Sequence, residues 1–133
     1  MKAVIQVVGQ AELRVEEKLI SKIGHGVVVY FCVEKGDLEE NLPYFAKKIA
    51  NLRIFSDEND KTNLSVKDVG GEIMLVSQFT LAGDCSGGNR PYFASAEDPE
   101  RANELYLKLA TLIEKDHNIS VKLGVFGAHM VIN

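Results

Sequence analysis

Ser77-Gln78-Phe79-Thr80 sets two hydroxyls, a carboxamide and an aromatic ring in four consecutive positions. A hydroxyl becomes a nucleophile when a base takes its proton, and a carboxamide or free backbone N–H stabilises the oxyanion of an ester under attack. Thr80 is the candidate nucleophile, yet no histidine or lysine stands near it in sequence to activate it. Ser77 has the same weakness and no GxSxG elbow around it. Gln78 and the N–H groups of Phe79 and Thr80 are candidate oxyanion donors. The same polar run also reads as a structural cap on a strand end.

The elements around this run must hold it. Ile73-Met74-Leu75-Val76 is an apolar strand that delivers the polar groups to the edge of a core, where packing keeps them rigid. Upstream, Ala3 to Val8 reads as an opening strand, and Ala11 to Val15 alternates as a half-exposed strand does. Lys18 to Ile23 is a further short strand. Val27 to Val33 is apolar throughout and β-branched, which predicts a central strand covered on both faces. Asp37 is the expected cap of the next helix, whose buried face is Leu42, Phe45, Ala46, Ile49 and Leu52. Arg53-Ile54-Phe55 predicts a short strand, and Gly83 to Gly88 a mobile loop without the lysine of a phosphate loop. Pro99 starts a long helix with Ala102, Leu105, Tyr106, Leu109, Leu112 and Ile113 on one stripe. Val121-Lys122-Leu123 and Val125-Phe126 resume strand character. The expected architecture is mixed α/β, with sheet packed on sheet and helices outside.

Composition narrows the partners. With 133 residues the chain forms one domain, large enough to bury roughly two-thirds of its unfolded surface. A net charge of −4 argues against broad tracking along a nucleic-acid backbone, while permitting local contact with one end of an RNA. No apolar stretch is long enough to span a bilayer, and residues 1–9 lack a signal-peptide cleavage pattern. No membrane partner and a cytoplasmic location are therefore expected. Cys32 and Cys85 read as free thiols. His25, His117 and His129 are scattered without ligand spacing, so neither metal nor cofactor is expected.

The chain resembles the D-aminoacyl-tRNA deacylases, also called D-tyrosyl-tRNA(Tyr) deacylases, over almost its whole length. The resemblance rests on Ala3 to Gln6, Val33-Glu34-Lys35-Gly36-Asp37, Leu52 to Phe55 and Val76 to Leu81. It continues through Gly88-Asn89-Arg90-Pro91-Tyr92-Phe93, Pro99 to Ala102 with Leu105-Tyr106, and Gly124 to Met130. The order and spacing of these segments around the Ser-Gln-Phe-Thr signature carry it, rather than any one of them. It implies that family's fold, expected here as mixed sheets packed in a barrel-like sandwich with helices outside. It also implies hydrolysis of the ester joining a D-amino acid to the 3′-terminal adenosine of tRNA, in a homodimer whose site lies at the subunit interface. The catalytic segment would be Ser77, Gln78, Phe79 and Thr80, with Thr80 positioning rather than attacking. Substrate contacts would fall on Gln6, Ala102, Phe126 and Met130.

In the family a Gly-Pro dipeptide near the C-terminus reaches across from the partner subunit and excludes L-amino acids. A rigid proline turn suits that task, because rejecting one enantiomer needs a wall. This chain holds only Pro43, Pro91 and Pro99. Val7 stands where the family usually has arginine, Cys32 where it has glycine, and Tyr92 where it has serine. Two expectations follow: a single deacylase-like domain over 1–133, truncated at its C-terminus, or a divergent paralogue. Their functional counterparts are a deacylase and a catalytically weakened or inactive module that binds nucleic acid or protein. Arg90 and Arg101 are candidate phosphate contacts or surface ion pairs.

Overall fold

Burial on both faces places β4 (Gly26–Cys32) inside a sheet, and the computed structural model, which describes residues 1–133, shows it there. Antiparallel β1 (Lys2–Val8) lies on one side and parallel β7 (Glu72–Ser77) on the other, with β8 (Val121–Leu123) beyond β7. A second sheet has the order β3-β2-β9, from β3 (Lys18–Ile23), β2 (Ala11–Val15) and β9 (Met130–Ile132). The minor pair β5 (Phe55–Ser56) and β6 (Thr62–Leu64) completes the strands.

None of these sheets closes on itself, so the expected barrel is corrected to a layered arrangement. Closure requires the outer strands of one sheet to pair, and here β1 and β8 remain opposite edges. Side-chain alternation then divides the interior in two. Val27, Val29 and Phe31 of β4, with Ile73 and Leu75 of β7, face α1 (Leu42–Asn51) and α2 (Pro99–His117) in a core of 19 buried residues. Val28, Met74 and Val76 face the second sheet in a cluster of only 6, completed by Ala11, Leu13 and Ile23. The helices thus cover one face and the small sheet the other.

Local expectations hold where neighbours agree with the sequence pattern. β2 and β3 run over the residues predicted, and Pro99 opens α2. Asp37, however, does not cap α1. A 3-10 turn at Glu39–Asn41 precedes that helix, and the Asp37 carboxylate instead accepts the Glu34 N–H at 2.7 Å and pairs with the Met1 ammonium. Leu52 lies beyond the helix and is exposed, while Ala50 joins the buried face. Arg53 and Ile54 precede their strand rather than forming it. Val125-Phe126 is a turn, not a strand, because Gly127 takes φ +76° and reverses the chain into β9. The β2–β3 hairpin turns on Glu16 and Glu17, both at positive φ, a conformation normally given to Asn or Gly.

Candidate active site

Parallel pairing sets Ser77, the last residue of β7, beside Phe31 of β4, and the Gln78 N–H continues the ladder to the Phe31 carbonyl at 2.9 Å. The chain then tightens into a 3-10 helix over Phe79–Ala82. As at any helix start, its leading N–H groups have no intrahelical acceptor, and those of Phe79 and Thr80 find none elsewhere in the chain. The Gln78 carboxamide donates to the Thr80 hydroxyl and so fixes its orientation. The Phe79 ring, 55% exposed, meets Phe93 edge-on with centroids 5.3 Å apart.

Beside this strand end lies a cavity of about 650 Å³, walled mainly by apolar side chains. Its walls come from the ends of β4 and β7, the first turns of α2 and the turn leading into β9. Ser77, Gln78, Phe79, Ala102, Phe126 and Met130 all line it. Thr80 and Gln6 do not: Thr80 sits outside on the 3-10 helix, and Gln6 is exposed on β1 opposite Val28.

Sequence reading overlooked Tyr30, Cys32, Glu97, Tyr106 and His129 as wall residues. Tyr106 left a signal as a polar-tipped residue on the apolar stripe of α2, and the family resemblance singles out Cys32 and the Gly124–Met130 segment that holds His129. Its hydroxyl donates to the Leu75 carbonyl at 2.6 Å and accepts the Gly124 N–H at 3.2 Å, tying α2 to both parallel strands. Burial pushes its pKa up to about 12, so it serves as a strut and not as an acid. Burial, reinforced by the nearby Glu34 charge, also raises the Cys32 thiol, keeping it protonated and directed at the Val33 and Phe79 carbonyls, both 3.6 Å away. Cys85, the other free thiol, is exposed.

Glu97 is held below the usual carboxylate range by the Asp98 N–H and by Arg101. Arg101 also donates to the Asp37 carbonyl at 2.7 Å, so it is a structural cation rather than a free phosphate contact. Arg90 is exposed and has no carboxylate partner. The Gly83–Gly88 segment is tied down at its start. Asp84 and Tyr92 exchange two backbone hydrogen bonds of 2.9 Å, and a Cβ on Gly83 would sit 2.9 Å from the Phe93 ring. No cluster of His, Cys, Asp and Glu is arranged to hold a metal ion, and no helix is long and apolar enough to cross a membrane.

A cavity with an apolar interior, the unpaired N–H of its wall residue Phe79 and that of the adjoining Thr80 suits a small acyl group whose carbonyl becomes an oxyanion. Comparison with known proteins points the same way. A model of the family described as D-Tyr-tRNA(Tyr) deacylase matches residues 4–133. The D-aminoacyl-tRNA deacylase of Thermosipho africanus is 47% identical over 133 residues, covering 100% of this chain and 89% of that protein. That of Persephonella marina is 48% identical over 132 residues, covering 99% and 88%. A solved structure named c-Myc DNA Unwinding Element Binding Protein is 38% identical with a TM-score of 0.92, covering 100% of this chain and 90% of that one. A probable eukaryotic D-amino acid tRNA deacylase, 17% identical with a TM-score of 0.83 over 98% of this chain and 91% of that one, shares the fold.

Proposed function

The chain belongs to the D-Tyr-tRNA(Tyr) deacylase family, and we infer from that premise how its residues carry out the family's reaction. It hydrolyses the ester between a D-amino acid and the 3′-terminal adenosine of tRNA, which returns the tRNA to use and keeps D-residues out of translation. The amino-acid side chain enters the cavity against Ala102, Phe126 and Met130. Water attacks the ester carbonyl, and the N–H groups of Phe79 and Thr80 receive the oxyanion. The carbon–oxygen bond then breaks, the 3′-oxygen takes a proton, and a free D-amino acid leaves. The unpaired N–H pair beside the cavity is the observation that carries this reading.

Thr80 acts by position. Its hydroxyl already accepts a hydrogen bond from Gln78, and three ionisable wall residues are committed elsewhere. Cys32 is protonated, Glu97 is engaged by Arg101, and Tyr106 is locked between two backbone groups. The substrate's own 2′-hydroxyl then assists the water. Gln6 enters the site only if a second copy covers β1, and a homodimer supplies that cover. The apolar exposure of Val4, Phe79 and Val131, together with the unpaired edges β1 and β9, supports this assembly. A cytoplasmic location follows from the tRNA substrate.

Single-turnover deacylation tests the reading. D-Tyr-tRNA is cleaved at excess enzyme, and a failure to cleave it there overturns the proposal. Comparable rates on D-Tyr-tRNA and L-Tyr-tRNA would show that residues 1–133 do not by themselves exclude the L-enantiomer. The rival reading, a binding module without hydrolysis, draws on the DNA-binding name of the similar structure. It predicts tRNA binding with no ester loss.

A further inference from the structure

A second concavity, about 410 Å³ and remote from the cavity walls, follows the outer side of α1. It is lined by Tyr44, Lys47, Lys48, Asn51, Leu52 and Arg53 and by no acid. In a chain of net charge −4 this is a local reversal of sign. None of its three cations forms a salt bridge. Arg53 is held at its Nε by the Asn63 carbonyl at 2.8 Å and at its Nη2 by the Asn63 side chain, which leaves Nη1 free. Lys48 stands 5.7 Å over the ring of Tyr44, itself 61% exposed. Asn51 donates to the Lys47 carbonyl at 2.8 Å, so its side-chain oxygen remains an open acceptor.

Cations outside any salt bridge bind phosphates, although Asp68 feels the charge of Arg53, and an exposed tyrosine and amide oxygen suit the ribose edge of A-form RNA, whose shallow minor groove displays 2′-hydroxyls. The position also fits the substrate. Arg101, between the cavity residues Pro99 and Ala102 on α2, holds the carbonyl of Asp37, five residues before α1, and α1 itself is about 15 Å long. A tRNA whose terminal ester occupies the cavity has a few unpaired nucleotides before its duplex begins. We propose that the α1 groove grips the phosphate backbone of the tRNA acceptor stem. This rests on the reading of the chain as a tRNA deacylase.

The test is equilibrium binding of uncharged tRNA to the full chain and to a Lys47→Gln/Lys48→Gln variant across a salt series. The expected result is binding weakened about tenfold, with a slope of log affinity against log salt shallower by about 1 to 2. Unchanged affinity and slope overturn the proposal. Lysine acetylation of the unaltered protein gives an independent readout, since tRNA should protect Lys47 and Lys48. Equal modification with and without tRNA also overturns it, as does protection by an added protein but not by tRNA. Hydrolysis of D-tyrosyl-adenosine, which has no stem, tests the deacylase reading separately. Loss of that reaction with lysine-dependent tRNA binding retained removes the hydrolase and keeps the groove.

Discussion

The two faces of the four-stranded sheet are finished to different standards. The helix face is sealed by a core of 19 residues, in which Ile73, Leu75, Leu109 and Ile113 are fully buried. The opposite face is closed by a cluster of 6 under a small sheet that stops short of the sheet's β1 edge, where Val4 is half exposed. The cavity opens where these unequal halves meet, at the ends of β4 and β7. Packing on the first face holds the strand ends still, and thin cover on the second leaves room for an acyl group. Stability and access are thus assigned to opposite sides of one sheet.

Core truncations put that division under the largest strain. Leu109→Ala, on the thick side, is expected to cost about 4–5 kcal/mol, and Leu13→Ala, on the thin side, about 2–3 kcal/mol, because a small layer can settle into the space. Urea unfolding measures both, and equal losses would abolish the contrast. Phe79→Pro removes one rim N–H where proline is sterically suited to a helix start, and should lower kcat by about 100- to 1,000-fold. A Phe79→Ala control isolates the loss of the ring. Thr80→Ala is expected to lower the single-turnover rate less than about tenfold, since the oxyanion donor is retained. A complete loss would restore Thr80 as the nucleophile. Smallest is Glu17→Gly in the β2–β3 hairpin, which relieves a left-handed residue and should stabilise the thin layer by about 1 kcal/mol. Thermal melting reads that gain.

The sequence disclosed what periodicity and local chemistry govern. Ser77-Gln78-Phe79-Thr80 was recognisable as a polar strand end, and α2 as a one-faced helix, because each signal lies within a few residues. Asp37 looked like a helix cap by the same logic, but the Met1 ammonium and the Glu34 N–H compete for its carboxylate from outside the local window. The barrel failed for a related reason: alternation shows which face of a strand is buried, not which two edges meet. Glu97, Cys32 and His129 are apart in the chain and become neighbours of the cavity only through the folding of the sheet. Val125-Phe126 is as apolar as a strand, and only the flanking Gly124 and Gly127 hinted at the turn.

The contrast between the two thiols gives the molecule a built-in reporter. Cys32 is sealed and protonated, whereas Cys85 stands in solvent on the segment that the Asp84–Tyr92 pairing closes. An alkylating fluorophore or spin label therefore reacts at Cys85 first, without any cysteine being engineered. Because Phe93, next to that segment, rests on Phe79, the label's mobility would register movement of the candidate site's strand end while a ligand binds.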